Sequence, residues 1–485
     1  MSDGRASARE LTVLYLERIA ALDGEVGAVI ELVPDALDQA DSLDHERATR
    51  GARSPLHGIP ILLKDNIATA DGTQTTAGSL ALVDRRPKRD SFVAGRLRAA
   101  GALLLGKTNL SEWANFRSRH AVSGWSSRGG QCRNPYDLDR NPCGSSSGSA
   151  VATSASFCAA ALGTETHGSI ICPSSACGIV GLKPTVGLVS RRGVIPVAHS
   201  FDTAGPMTRT VRDAAELLTI MQGVDPEDEA TTAAKPYARR VYTEALKADA
   251  LKGARIGVAR ASFGFHPATD DIVEEALAVL RSAGATLVDP VDVAFPRSLF
   301  DDILEVMFFE MKAGLNAYLA EIVHEGPPMT LADVIAFNEA HAARVMPHFD
   351  QALLIEAQRR GSLTDAGYRE KLTAIRRAAR ERGIDRAVRE HRLDAIVAPS
   401  GSPAWLTDHV LGDHFVGGSA TLAAMAGYPN ITVPAGEVEG LPVGISLFGP
   451  AWSEPKLLGL AYAFEQTTHH RRPPALGGST LERDR

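Results

Sequence analysis

The chain has 485 residues, 44% of them apolar and 22% charged, with 44 glycines and 27 prolines. At about 100–200 residues per domain, that length holds one large α/β body or two to three smaller domains, and the apolar content excludes a disordered chain. The 51 basic and 58 acidic side chains leave a net charge of −7, which gives no global attraction to phosphate backbones or anionic membrane surfaces.

In chain order, Met1 to Asp23 carries Arg5, Arg9, Glu10, Glu17 and Arg18, so no uncharged signal-peptide core fits there. No later run is apolar enough to span a membrane, and a cytoplasmic location is expected. Ser7 and Glu10 make a capping box that opens an amphipathic helix, with Leu11, Leu14, Ile19 and Leu22 near a 3.6-residue period. Short apolar runs bounded by Gly, Pro or Asn predict strands over 58–63, 102–106, 255–259, 395–399, 431–434 and 443–448. A helix is predicted over 271–283, stopped by Gly284 and followed by a strand over 286–288. Strands separated by helices call for a largely buried α/β sheet covered on both faces.

Two stretches stand apart in composition. Between Asn141 and Leu182 the only acidic or basic side chain is Glu165, and small residues dominate. From about Leu299 to Arg392 the chain reads as charge-rich helices and turns basic, with eleven Arg or Lys against five Asp or Glu from Arg359 onward. A solvated helix face is the simplest reading of that stretch, and a nucleic-acid patch the rarer one. The expected organisation is a single domain over 1–485. Its core occupies about 50–215, a helical insertion about 225–392, and the core returns over 393–475. The five cysteines are odd in number, confined to one third of the chain and without a C-x-x-C, which predicts ordinary buried thiols rather than disulfides or structural zinc.

Chemistry is concentrated in the charge-poor segment, which contains Gly144-Ser-Ser-Ser-Gly-Ser149 and Gly163-Thr-Glu-Thr-His-Gly-Ser-Ile170. Small residues let backbone approach a ligand closely, and a serine there needs a base to become a nucleophile. Neither G-x-x-x-x-G-K-[ST] nor G-x-G-x-x-G is present, so the glycines announce no phosphate cradle. Gly144 to Gly148 matches the nucleophile-elbow pattern around Ser146, yet a polar, proline-bounded loop precedes it where the elbow needs a strand. The pairs Asp408-His409 and Asp413-His414 read as solvent-facing loop residues rather than metal ligands. Lys64 closes the apolar run Gly58-Ile-Pro-Ile-Leu-Leu63, where desolvation would lower its pKa and make it a general base.

Lys64 in G-I-P-I-L-L-K-D-N, the Gly/Ser run at 144–149 and G-T-E-T-H-G-S-I at 163–170 together resemble the amidase signature family. The resemblance extends through Gly106-Lys-Thr-Asn-Leu-Ser-Glu112, Gly178 to Thr185, Asp202-Thr-Ala-Gly-Pro206 and Gly427 to Pro434. Within the family, Ser111 to Arg117, Gly124 to Gln131 and Asn134 to Arg140 look most like the peptide amidase branch, whose members remove ammonia from the C-terminal carboxamide of peptides. The resemblance implies a three-layer α/β/α fold around a large mixed β-sheet. It implies a Ser-cisSer-Lys triad of Ser169 as nucleophile, Ser145 as relay and Lys64 as base, with no metal and no organic cofactor. Backbone N–H groups of Thr166, His167, Gly168 and Ser169 would form the oxyanion hole, and Asn115 and His167 would touch substrate.

His167 stands where many members have Gly and peptide amidases have Asp, so its side chain either faces substrate or packs beside the loop. Serines 146, 147 and 149 are expected to cap or line the site. The partner is a small-molecule or peptide amide, with neither nucleic acid nor membrane; oligomeric state is not legible. The same machinery acting on anilides, carbamates or esters is the near alternative. An amidotransferase-type subunit or a basic-patch RNA binder is the distant one.

Overall fold

The computed structural model describes residues 1, 4–321 and 328–476. Helix α1 (Ala8–Val26) starts at the expected reciprocal Ser7–Glu10 capping box. Its buried stripe runs through Ala8, Thr12, Ile19 and Val26, and that spacing leaves Leu14 61% exposed instead of in the core. There follow β1 (Val29–Leu32), α2 (Ala36–Arg50), β2 (Pro60–Lys64), α3 (Phe92–Ala99), β3 (Leu103–Thr108) and the small hairpin β4 (Trp125–Ser126) and β5 (Gly130–Gln131). Next come α4 (Ser147–Ser154), β6 (Ala160–Glu165), α5 (Ile171–Ala176), β7 (Val180–Lys183), β8 (Thr203–Thr208) and α6 (Val211–Met221). The chain continues through β9 (Arg255–Val258), α7 (Pro267–Ser282) and β10 (Thr286–Val288). A helical stretch comprises α8 (Phe300–Glu321), α9 (Leu331–Ala340), α10 (Ala342–Val345), α11 (Ala352–Gln358), α12 (Ala366–Ala379) and α13 (Asp385–His391). The last elements are β11 (Ala395–Pro399), α14 (Ala420–Ala426), β12 (Asn430–Val438), β13 (Leu441–Phe448) and α15 (Glu454–Thr468).

Eleven strands form one mixed sheet in the order β1-β3-β2-β6-β8-β7-β12-β13-β11-β9-β10. The runs β3-β2-β6 and β11-β9-β10 are parallel, and the other pairings are antiparallel. Alternation along each strand builds the layers. On β2, Ile61 and Leu63 enter a core shared with α3, α6, α7 and α15, while Leu62 enters the opposite core with α1, α2 and α4. On β11, Ala395 and Val397 join the first core, whereas Ile396 and Ala398 face α8, α9, α11, α12 and α14. The fold is therefore the three-layer α/β/α arrangement around a large mixed sheet.

Two expectations need adjusting. Strands β1, β6, β7 and β8 are absent from the sequence-based set. The segment 225–392 is not helical throughout: β9 and β10 form one edge of the main sheet and α7 covers it, so among the described residues the α-helices that follow one another without an intervening strand are α8 to α13.

Candidate active site

Lys64 is the last residue of β2, two positions beyond Leu62, and so points to the face on which α4 lies. Helix α4 is buried along its whole length. Its approach depends on Gly148, where a Cβ would sit 2.4 Å from the carbonyl oxygen of Ala28. The loop entering α4 has a cis peptide between Gly144 and Ser145, and Ser145 Oγ lies 2.7 Å from Lys64 Nζ. The N–H bonds of Nζ find acceptors in Ser146 Oγ at 3.1 Å, Thr164 Oγ1 at 3.0 Å and the Thr164 carbonyl at 3.3 Å.

Lys64 is fully buried, and the loss of solvation lowers its pKa to about 7 even though the Asp202 and Glu165 carboxylates pull it upward. Two other buried lysines, Lys107 and Lys183, are held at about 8 by burial. Lys107 donates to the Ile67 carbonyl and Thr75 Oγ1, and Lys183 to the Pro184 carbonyl. Of the three, Lys64 is the one that meets serine hydroxyls.

The segment from Thr166 to Ser169 joins β6 to α5 and turns at Gly168, whose φ of +83° favours glycine. Glu165 pins the far side of this turn, its carboxylate accepting from Ile170 N–H at 2.7 Å and Ile171 N–H at 3.0 Å. Thr166 Oγ1 donates to Asp202 Oδ1 at 2.5 Å, and Asp202 Oδ2 accepts from Val197 and Ala198 N–H, both at 2.9 Å. Held this way, the N–H groups of His167, Gly168 and Ser169 have no acceptor among the described residues. Ser169 is 8% exposed, and its carbonyl accepts from Ser146 N–H at 3.1 Å, which ties the two serine loops together. The hydroxyls of Ser145 and Ser169 are not hydrogen-bonded to each other among the described residues.

Sulfur adds a second tie and corrects the expectation of free thiols. Cys143 and Cys172, 29 residues apart, form a disulfide with their Cα atoms 6.0 Å apart, while Cys132, Cys158 and Cys177 are free and buried. An odd cysteine count does not forbid one pair. The return of the chain from β6 brings the start of α5 against the loop that enters α4. The other serines of the run act on backbone, with Ser146, Ser147 and Ser149 Oγ donating to the carbonyls of Thr164, Cys143 and Leu162.

A cavity of about 430 Å³ opens over these loops and is lined by Gly144, Gly168, the disulfide, Asn115 and His167 among others. Asn115 reaches it because Trp113, Ala114 and Asn115 are three consecutive left-handed residues, with φ of 53°, 54° and 69°. The buried pair Arg117–Glu112 at 2.8 Å closes that turn, and Ser111 N–H donates to the Ser145 carbonyl, so the turn also buttresses the relay serine. His167 lines the cavity and is also held from beside the loop, with Nε2 2.8 Å from Thr421 Oγ1 at the start of α14. Burial lowers its pKa to about 4, so the ring is neutral at pH 7. Asp413, expected to face solvent, turns inward and accepts from Ser123 N–H and Oγ and from Trp405 Nε1.

Sequence reasoning left Thr164, Asp202 and Ser111 without roles. Glu165 carried the one available signal, as the single formal charge in a 42-residue stretch.

The Amidase family model matches residues 10–458. A peptide amidase solved in complex with the competitive inhibitor chymostatin is 49% identical, with a TM-score of 0.95 covering 98% of this chain and 97% of that one. The native peptide amidase from Stenotrophomonas maltophilia gives 48% identity and a TM-score of 0.94, covering 99% and 97% of the two chains. A probable amidase of Arabidopsis thaliana is 41% identical over 484 residues, 98% of this chain and 89% of the plant protein.

Proposed function

The chain belongs to the amidase signature family, and from that premise we propose that this amidase hydrolyses the C-terminal carboxamide of peptides, or a similar small amide, to carboxylate and ammonia. The carrying observation is the buried Lys64 amine, held near neutrality and 2.7 Å from Ser145 Oγ, beside a loop whose N–H groups lack acceptors.

In the reaction, Ser169 Oγ attacks the amide carbon while its proton passes to Ser145, whose own proton goes to the lone pair of Lys64 Nζ. The carbonyl oxygen becomes an oxyanion, stabilised by the backbone N–H groups from Thr166 to Ser169, donors aimed at charge that appears in the transition state. Collapse expels the nitrogen, which takes the proton back through Ser145 and leaves as ammonia, with Ser169 esterified. A water, deprotonated by the same pair, attacks that ester and releases the carboxylate and free Ser169.

The substrate reading draws on the likeness to peptide amidases over nearly the whole chain. It also draws on Asn115, which lies in one of the peptide amidase-like stretches and lines the cavity. Ammonia release from an N-protected peptide amide, beside a matching p-nitroanilide and an aryl carbamate, tests it. Turnover of the amide is expected; silence on the amide with turnover of the anilide or carbamate moves the enzyme to another substrate class.

A pH profile follows from Lys64. Its neutral form is the active one, so kcat/KM is expected to fall about tenfold per pH unit below about 7 and to level off above it. A flat profile between pH 5 and 8 would remove Lys64 as the base.

A further inference from the structure

Nine large apolar side chains are well exposed among the described residues; three of them line one cavity, and three more lie in the loop that supplies two of those three. Phe300, Leu411 and Phe415, exposed at 45%, 69% and 52%, line the cavity over the serine loops together with Trp405. Leu406, Val410 and Val416 accompany Leu411 and Phe415 in the 405–416 loop, whereas Phe300 comes from the start of α8. Exposed apolar side chains scattered singly need no explanation, but several lining one cavity mark a binding surface.

The loop is built to present them. Asp408 Oδ1 accepts from Val410 and Leu411 N–H, at 2.8 and 2.9 Å, and Asp413 is held inward by Ser123 and Trp405. Trp405 and Phe415 meet edge to face with centroids 5.9 Å apart. Asp408 therefore fixes the loop backbone, Asp413 ties the loop to Ser123, and the apolar side chains are left exposed, unlike an ordinary solvated loop.

The polar groups that line the same cavity complement this. Asn115 and the exposed Arg119 guanidinium offer donors, while the Asp413 carboxylate is already engaged by Ser123 and Trp405. Donors without a free carboxylate suit peptide carbonyl oxygens and disfavour a cationic side chain.

We propose that this apolar mouth is a specificity subsite for the substrate residue preceding the one whose amide is cleaved, and that it selects an apolar or aromatic side chain there. The inference rests on the peptide-amide reading above. It commits the mouth to the substrate itself, because Phe300, Leu411 and Phe415 line the same cavity as Gly144 and Gly168, the chain neighbours of Ser145 and Ser169.

The test measures ammonia release from N-acetyl-X-alaninamides with X as Leu, Phe, Ala or Lys. Burying a leucine-sized side chain predicts kcat/KM for Leu and Phe about 10- to 100-fold above Lys, with the difference in KM because the rim binds ground state and transition state alike. Phe415→Ala and, separately, Leu411→Ser are each expected to reduce the Leu-to-Lys ratio at least threefold. Equal kcat/KM across the wild-type series, or an unchanged ratio in both variants, overturns the subsite while leaving the peptide-amide reading standing. Silence on every amide overturns both. A ratio that shrinks as the enzyme is concentrated assigns the mouth to a second copy of the chain and likewise overturns the proposal.

Discussion

Replacing Ser169 by alanine is expected to lower kcat for an amide substrate by about 10⁶, the scale seen when a nucleophile that works as one unit with its proton acceptor is removed. The fold should be indifferent. Its loop is held by Glu165 on the Ile170 and Ile171 N–H groups, by Thr166 on Asp202, and by the Ser169 carbonyl, none of which uses the hydroxyl. The melting temperature and the near-ultraviolet spectrum should therefore match the parent. Mass spectrometry on the parent enzyme with a slow ester should place the acyl group on the peptide containing Ser169, and the variant should carry none. Activity near that of the parent, or an acyl group on Ser146 or Ser147, would remove Ser169 as nucleophile.

Much of this site was legible because chemistry and local structure coincide in it. Lys64 ends an apolar strand, and a strand end is where a lysine is both desolvated and presented, so burial and position followed from one pattern. The choice of Ser145 within Gly144-Ser-Ser-Ser-Gly-Ser149 did not follow from the residues themselves; the resemblance supplied it. Four hydroxyls in six positions are equivalent until the backbone direction is known, and in the fold three of them turn to carbonyls.

Strands β6 and β8 escaped for a related reason. A Cβ at Gly163 would lie 2.5 Å from Met207 Sδ and 2.7 Å from Ser146 Oγ, and one at Gly205 would lie 2.1 Å from the Leu182 carbonyl. Close approach of α4 and neighbouring strands demands glycine there, which erases the β-branched signature by which strands are recognised. The disulfide was hidden because pairing depends on which loops meet in space, not on parity or spacing. The 406–416 loop read as ordinary because one of its carboxylates, Asp413, turns inward while Leu411 and Phe415 stay exposed, which inverts the pattern that burial normally writes into sequence.

Lys64→Met separates the base from the scaffold, since methionine keeps the length and removes the amine. The rate should fall on the order of 10⁴, the upper range for a general base. The acid limb near pH 7 should disappear with it. Combining Lys64→Met with Ser169→Ala should cost little more than Ser169→Ala alone, because the two residues serve one proton transfer.

Stability should move the other way. The folded-state pKa of Lys64 is depressed from its ordinary 10.5 to about 7, so the unfolded chain takes up the proton first as pH falls through that window. The parent is thus penalised progressively from about pH 10.5 down to about 7, and fully below it. Methionine has no proton to bind, and Ser146 and Thr164 keep each other and Asn66 as partners. The melting temperature of Lys64→Met, relative to the parent, is therefore expected to rise between pH 10 and pH 7. Thermal scans at both values decide it. A difference that is constant with pH would mean that Lys64 titrates alike in the folded and unfolded chains, and the neutral amine required of a base at pH 7 would be lost.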